Sequence, residues 1–207
     1  MIIAVDGPTA SGKGTIAKAL AARFGLPHLD TGLLYRAVGY QCAKEGGVPE
    51  SLADALAACD FPDSLLDNPE LRSEATGALA SKVSVHNAVR QALFQRQRAF
   101  AVQEGGAVLD GRDIGTVIAP DADIKLFVTA SVAARAQRRF AEMRSHGRDV
   151  TLGDITADIA ARDARDMNRE DAPLKPASDA YIFDTTSFDK DAAIDAAIEV
   201  VEEVRRN

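Results

Sequence analysis

The chain has little of the sulfur and imidazole chemistry that builds structural metal centres. Among 207 residues there are two cysteines, three histidines and no tryptophan. Cys42 and Cys59 lie in no CxxC or Cys/His spacing of the kind that binds zinc. We expect two unlinked thiols in a cytosolic protein. His28, His86 and His146 have no partner spacing, and we interpret them as structural or surface residues.

Long apolar runs are also absent. At the N-terminus the continuously apolar run after Met1 has only four residues, Ile2–Val5, and neither a basic N-terminal segment nor a run of about 18 apolar residues follows. The sequence therefore predicts no signal peptide and no membrane span. We expect a cytoplasmic protein that does not bind membranes.

Basic residues are fewer than acidic ones: 24 basic and 31 acidic side chains give a net charge of −7. This balance argues against non-specific binding to nucleic acid or anionic lipid. The basic set is uneven, however, with 17 arginines against 7 lysines. Arginine makes planar, bidentate contacts to phosphate and carboxylate, so a small anionic ligand stays possible. The length and the 46% apolar content predict one domain with a sizeable core.

Short apolar runs alternate with helical periodicity along the chain. Strands are predicted at residues 2–5, near 29, at 107–109, at 124–128 and at 181–183. Helices are predicted at 13–24, after Asp30, at 81–101 (with Val85, Val89, Leu93 and Phe100 buried), at 131–144, at 152–168 and at 192–204. The alternation predicts an α/β fold, a parallel sheet of about five strands flanked by helices, whose ligands bind at the carboxyl ends of the strands.

The most informative segment follows the first strand and opens the first helix. It has the G-x-x-x-x-G-K spacing of a phosphate-binding P-loop, in the strand–loop–helix context that this motif requires. Glycines let backbone N–H groups turn toward an anion, the helix dipole favours that anion, and a lysine neutralises the β- and γ-phosphates. We therefore predict an ATP-phosphate site formed by Gly7, Pro8, Thr9, Ala10, Ser11, Gly12, Lys13, Gly14 and Thr15.

Gly14 stands where the strict motif has the serine or threonine that binds Mg²⁺. This GKGT variant is typical of nucleoside monophosphate kinases, and Thr15 supplies the next hydroxyl. Asp110 follows the apolar run 107–109 and has the position of a Walker-B carboxylate. We predict Mg²⁺ as cofactor, with Thr15 and Asp110 as ligands either directly or through water.

A P-loop alone does not separate a kinase from a GTPase. A GTPase needs a guanine-reading Asn-Lys-x-Asp at a strand end, and the nearest sequence, Asn168-Arg169-Glu170-Asp171, follows an Arg-rich helix instead. Two further alternatives stay open on the motif alone. One is another P-loop kinase of the adenylate or shikimate type, and the other is a nucleotide-dependent binding or regulatory module without turnover.

One face of the predicted helix at 152–168 changes from apolar to charged. Ile155, Ile159, Arg162, Asp166 and Arg169 share this face at spacings of three and four residues. This pattern is typical of a helix that leaves a core and enters a charged cleft. The alternative is a solvated helix with Arg–Asp pairs along it.

Together these segments resemble the bacterial cytidylate kinase family. The resemblance rests on DGPTASGKGT (6–15), DTGLLYR (30–36), Ser81 with RQALFQRQRAF (90–100), DGRDIGT (110–116) and RDARDMNREDAP (162–173), which run in the order of the family over nearly the whole chain. DGRDIGT discriminates, since adenylate kinases carry Asp-Gly-aromatic-Pro-Arg there. The resemblance implies a P-loop NTPase-type kinase that transfers the γ-phosphoryl group of ATP to CMP or dCMP with Mg²⁺.

The resemblance also implies roles for individual residues. Ser81, Arg90 and Asp113 would contact the cytosine, whose N4 amino group donates to a carboxylate where uracil has a carbonyl. The acceptor phosphate would be bound by Thr31, Arg36, Arg112 and Arg169. Arg162 and Asp166 would contact the sugar, with Tyr35 lining the site, and Arg138 and Arg139 are candidate lid arginines. The expected catalytic set is Lys13, Arg36, Arg112, Arg139, Arg162 and Arg169.

The same resemblance divides the single kinase domain into a core, an insertion and a lid. We expect the core at 1–38, 82–134 and 178–207, an acceptor-binding insertion at about 39–81 and a helical lid at about 135–177. The insertion contains Gly46, Gly47, Pro49, Pro62 and Pro69 without alternating strand patterns, so we expect it to be mainly helical and shorter than in many relatives. We expect a monomer whose partners are small nucleotides.

Overall fold

The computed structural model describes residues 1–206, so Asn207, the last residue of the predicted core, lies outside the described residues. The five strands are β1 (Ile2–Asp6), β2 (His28–Asp30), β3 (Ala107–Gly111), β4 (Ile124–Thr129) and β5 (Tyr181–Asp184). They form one sheet in the order β2-β3-β1-β4-β5, in which β1 pairs in parallel with β3 and β4, and β4 in parallel with β5. The predicted α/β fold with a five-stranded parallel sheet is confirmed.

The α-helices are α1 (Lys13–Phe24), α2 (Gly32–Lys44), α3 (Leu52–Ala57), α4 (Glu74–Val83), α5 (Asn87–Ala101), α6 (Val132–Ser145), α7 (Leu152–Asn168) and α8 (Lys190–Arg206). Short 3₁₀ helices span Asp63–Asp67 and Pro69–Arg72, and a π-helical turn spans Ile114–Ile118. None of the helices described here is long and apolar enough to cross a membrane.

The chain divides into two compact units. The first comprises Met1–Leu29 together with the chain from Ala101 onward. Its core joins the strands to α1 and α8, with Ile3, Leu20 and Val201 fully buried. Within this unit α6 and α7 pack on each other through a smaller apolar cluster around Ile155 and Ile159.

The second unit, Asp30–Phe100, is helical. Its helices α2 and α4 lie so close that a Cβ on Gly39 would come within 2.8 Å of Leu79 Cβ. The interval 46–81 contains α3, the two 3₁₀ helices and most of α4, and its described residues form no strand. The prediction that this interval is mainly helical is confirmed.

The predicted single helix over 81–101 is wrong. Val83 ends α4, Asn87 begins α5, and Val85 between them is 43% exposed rather than buried. Ser84 is the C-cap of α4, and its Oγ donates to the carbonyl oxygen of Ser81 at 3.2 Å. Periodicity did not reveal the break, because Val89 and Leu93 resume the buried stripe within a few residues.

Candidate active site

The loop between β1 and α1 has a backbone that turns tightly around a concave surface. A Cβ on Gly7, whose φ is 155°, would lie 2.0 Å from the carbonyl oxygen of Val128. Ala10 and Gly12 also have positive φ, at 57° and 90°. Such turns direct successive N–H groups into one concavity, and the positive end of the α1 dipole begins at Lys13 directly after them. The local geometry is that of an anion cradle.

Ser11 supports the same interpretation of this loop. The residue is fully buried, and its Oγ has no hydrogen-bond partner within the described part of the chain. Buried hydroxyl groups almost always have a partner. A phosphate oxygen in the loop would supply one.

Side chains of the first unit hold the carbonyl groups of the loop. Arg135 Nη1 donates to the carbonyl oxygen of Thr9 at 3.0 Å, and the same guanidinium makes two hydrogen bonds to Asp163, at 2.5 and 3.1 Å. Thr185 Oγ1 lies 3.1 Å from the carbonyl oxygen of Ser11. These contacts fix the loop to α6, α7 and the end of β5.

A cavity of about 560 Å³ lies beside this loop. Its size is within the range of small-molecule sites. Arg138 forms part of its wall and is held in place by Thr185 Oγ1 at 3.0 Å and by the carbonyl oxygen of Phe188 at 3.2 Å. Arg139 also lines it and pairs with Glu142 at 2.8 Å. The full lining is Ala10, Ser11, Gly12, Thr15, Ile16, Arg138, Arg139, Glu142, Thr185, Phe188, Asp189, Lys190 and Ala193.

Asp110, near the carboxyl end of β3, is a buried carboxylate beside the start of α1. Its Oδ1 lies 2.8 Å from His28 Nε2, and a Cβ on Gly14 would lie 3.5 Å from its Oδ2. Sequence spacing did not reveal the partnership of His28, because the two residues are 82 positions apart and only the sheet brings them together.

The residues near Asp110 fit a Mg²⁺ ion that arrives with a nucleotide. In the described residues no group of three or more His, Cys, Asp or Glu side chains could hold a metal by itself. Mg²⁺ commonly takes one or two carboxylates, phosphate oxygens and several waters. Asp110 would supply one carboxylate of that kind beside the phosphate loop, and Thr15 has a hydroxyl on the first turn of α1.

Asp6, at the end of β1, is another buried carboxylate. It is 5% exposed and accepts hydrogen bonds from the backbone N–H groups of Ile114 and Gly115, both at 2.8 Å. Burial raises the pKa of Asp6 to about 6, although these two N–H groups act in the opposite direction. Asp113 adds to the rise and Arg112 opposes it.

The DGRDIGT turn and the end of α7 contribute two pairs of opposite charges within the first unit. Arg112 Nε donates to Asp166 Oδ2 at 2.7 Å, and Arg169 Nη2 lies 3.7 Å from Asp113 Oδ1. Burial by itself would raise the pKa of Asp166, but the Arg112 guanidinium more than offsets it, so this pKa lies below its usual range. Burial lowers the pKa of Arg112, whereas Asp166 and more distant carboxylates raise it above its ordinary value. Both groups are therefore charged at neutral pH.

The mixed face predicted on α7 is confirmed for the four residues that lie in the helix, whereas Arg169, the fifth, follows the end of α7. Ile155, Ile159, Arg162 and Asp166 are all less than 9% exposed. The solvated-helix alternative is therefore wrong for this face. Arg162 Nε lies 3.3 Å from Asp158, one turn earlier on the same helix.

The second unit holds the other predicted acceptor residues. Thr31, Tyr35 and Arg90 are buried, and the Arg90 guanidinium lies 5.9 Å from the centre of the Tyr35 ring. Arg36 Nη1 donates to the carbonyl oxygens of Leu71 and Ser73, at 2.8 and 2.7 Å. Ser81 is half-buried on α4.

The predicted site residues are therefore distributed over the two units. The first unit contains residues 7–15, Asp110, Arg112, Asp113, Arg138, Arg139, Arg162, Asp166 and Arg169. The second contains Thr31, Tyr35, Arg36, Ser81 and Arg90.

A parallel sheet, a glycine-rich loop between its first strand and first helix, and a buried carboxylate on a neighbouring strand together define a P-loop protein of the α/β class. The fold is also that of a crystal structure of an uncharacterized protein from Eubacterium ventriosum, with a TM-score of 0.56 at 15% identity over 100% of this chain and 99% of that one.

Sequence comparison is more specific than the fold. The profile of the family described as Cytidylate kinase matches residues 3–203. A cytidylate kinase from Bradyrhizobium sp. is 52% identical over 99% of this chain and 97% of its own length. Another from Methylocella silvestris is 53% identical over 98% of this chain and 94% of its own length. The chain belongs to the cytidylate kinase family.

Proposed function

We propose that the chain is a (d)CMP kinase, which transfers the γ-phosphoryl group of ATP to CMP or dCMP and releases ADP with CDP or dCDP. The observation that carries the proposal is the buried carboxylate of Asp113 beside Arg169, in a chain that also has a phosphate loop. A nucleotide acceptor needs such a pairing of base-reading and anion-binding groups. The names of the relatives support the same acceptor.

The donor side is assigned to the phosphate loop and the adjacent cavity. The N–H groups of residues 7–15, with Lys13, would bind the phosphates of ATP, and the cavity of about 560 Å³ would take its base and sugar. Arg138 would form a fixed wall, because three oxygen acceptors around Thr185 and Phe188 hold its guanidinium. Arg139, whose partner Glu142 is exposed, would reach the transferring phosphoryl group from the predicted lid.

Mg²⁺ would be held by the nucleotide phosphates together with Asp110 and Thr15. When bound, the ion neutralises charge on the phosphate oxygens. The contribution of the protein is to fix the carboxylate. Burial and the hydrogen bond to His28 give Asp110 a single orientation.

The acceptor side is assigned to the residues that the family resemblance implies. Asp113, with Ser81 and Arg90, would bind the cytosine edge, since a carboxylate accepts from the N4 amino group while Arg and Ser donate to N3 or O2. The phosphate would be bound by Thr31, Arg36, Arg112 and Arg169. Arg162 and Asp166 would bind the sugar, and Tyr35 would line the site.

Transfer in this scheme needs no strong general base. The acceptor phosphate is already a nucleophile, so the work of the protein is positioning and charge neutralisation. Arginine suits that work, because its guanidinium stays charged even among buried groups. Lys13, Arg36, Arg112, Arg139, Arg162 and Arg169 form the proposed charge-neutralising set.

ADP release in the presence of ATP, Mg²⁺ and CMP tests this assignment. Lys13→Ala should lower kcat by about a hundredfold or more, because the phosphates lose their principal cation. Lys18→Ala is the matched control, since Lys18 is exposed on the same helix. Equal activity of the two variants would exclude the phosphate loop as the donor site.

A further inference from the structure

The π-helical turn Ile114–Ile118 is capped by a residue from a distant part of the chain. The N–H groups of Ile114 and Gly115 donate to Asp6 Oδ1 and Oδ2, each at 2.8 Å, across 108 and 109 positions of sequence. These N–H groups stand at the start of a helical turn, where no partner exists within the turn itself. One buried carboxylate therefore satisfies two consecutive donors.

The N-cap residue of this turn, Asp113, does not cap it with its own side chain. Asp113 occupies the N-cap position, and aspartate is among the residues preferred there. Its side chain nevertheless makes no cap hydrogen bond, and its Oδ1 lies 3.7 Å from Arg169 Nη2. Asp6 therefore caps the turn, while the Asp113 carboxylate lies near the arginine.

The sheet makes this division between two aspartates possible. In the β1–β3 pairing Asp6 lies opposite Gly111, the residue immediately before Arg112. Gly115 approaches closely enough that a Cβ on it would lie 3.5 Å from Asp6 Oδ2 and 3.2 Å from Lys125 Cδ. The turn is therefore fixed to the end of β1, directly before the phosphate loop.

We propose that Asp6 is a positioning residue for acceptor recognition: by capping Ile114 and Gly115, it keeps the carboxylate of Asp113 turned away from its own turn and available to the cytosine amino group. The inference rests on the proposed function. Asn at position 6 does not replace the carboxylate, because its single carbonyl oxygen accepts from one N–H while its amide nitrogen, a donor, faces the other. Asp113 then becomes the nearest alternative cap.

The test compares Asp6→Asn with Asp123→Asn in steady-state assays with CMP, UMP and ATP. Asp123 is a matched control because its Oδ2 accepts a backbone N–H of the same strand, that of Ile2, at 2.7 Å. For Asp6→Asn, the KM for CMP should rise about tenfold and the preference for CMP over UMP should fall by a similar factor, while the KM for ATP changes less than about threefold. Asp123→Asn should leave all three values within about twofold.

Two further measurements separate positioning from general destabilisation. Amide hydrogen exchange at Ile114 and Gly115 should become faster in Asp6→Asn than in the wild type. In an Asp113→Asn background, Asp6→Asn should cause little further loss of the CMP preference, since both changes act through one carboxylate. If Asp6→Asn does not fold, Asp6→Glu retains the charge, displaces the cap by one methylene and should weaken the CMP preference in the same direction.

The experiment distinguishes a failure of the proposed function from a failure of the inference about Asp6. Wild-type protein that does not phosphorylate CMP would overturn the proposed function. An active wild type whose Asp6 variants keep the full CMP preference, or lose ATP and CMP affinity in parallel, would overturn only the inference about Asp6.

Discussion

His28 Nε2 lies 2.8 Å from Asp110 Oδ1, so the proposed Mg²⁺ carboxylate is oriented by an imidazole from the neighbouring strand. Hydrogen-bond partners of this kind tune metal affinity by about ten- to a hundredfold. His28→Ala should therefore raise the Mg²⁺ concentration needed for half-maximal activity by about tenfold. The value for His28→Gln should lie between those of the wild type and His28→Ala. Mn²⁺ binding to the ADP complex should weaken in parallel. His146→Ala, an exposed control, should change neither measurement. If His28→Ala has the wild-type dependence of activity on Mg²⁺, His28 does not orient a Mg²⁺ ligand at Asp110.

Asp113 determines base selectivity in the proposed function. Asp113→Asn should weaken the use of CMP and relax discrimination against UMP, because a carboxamide donates to the uracil carbonyl where a carboxylate repels it. The ratio of kcat/KM for CMP to that for UMP should fall by about tenfold or more. Asp149→Asn, at a fully exposed carboxylate, is the control. A variant that keeps the wild-type ratio would remove Asp113 from the base site.

The buried pair of Arg135 and Asp163 should matter for stability as well as for the phosphate loop. Asp163→Asn leaves the buried guanidinium without its charge partner, and we expect a loss of about 3 kcal/mol or more in the free energy of unfolding. Arg144→Ala breaks an exposed pair with Asp149 and should cost about 1 kcal/mol or less. Urea denaturation of both variants measures the difference. Equal losses would mean that burial of the first pair has no energetic consequence.

The raised pKa of Asp6 predicts how the free energy of unfolding depends on pH. Its pKa is raised from the ordinary value of 3.8 to about 6 in the folded protein. Between these two pH values the folded state binds more protons than the unfolded state. The stabilising contribution of Asp6 to the free energy of unfolding is therefore fully present below pH 3.8 and is lost as the pH rises through 6. The difference in unfolding free energy between wild type and Asp6→Asn should therefore fall by an amount on the order of 3 kcal/mol from about pH 4 to about pH 7. A constant difference across this range would contradict the raised pKa.

The sequence predicted those features that depend on local pattern. Apolar runs and helical periodicity placed the strands of the sheet, and the boundaries of α7 were predicted at Leu152 and Asn168, where the structure has them. The burial of Arg162 and Asp166 followed from their spacing to Ile155 and Ile159. Each of these features is determined within a window shorter than about 20 residues.

What the sequence did not predict depends on contacts between distant segments. The partnership of His28 with Asp110 and the capping of Ile114 by Asp6 span 82 and 108 positions, and only the pairing order of the strands brings them together. The break between α4 and α5 was missed for a different reason, because Val89 and Leu93 resume the buried stripe within a few residues of it. The roles of the acceptor residues came from family resemblance and stay predictions.

The preferred acceptor is the most direct test of the proposed (d)CMP kinase activity. ADP release should be measured with ATP, Mg²⁺ and equal concentrations of CMP, dCMP, UMP, AMP and shikimate as separate acceptors. CMP or dCMP should have the highest kcat/KM, by about tenfold or more over UMP and AMP, and shikimate should not be turned over. Turnover of AMP or shikimate that equals or exceeds that of CMP would contradict the proposed activity.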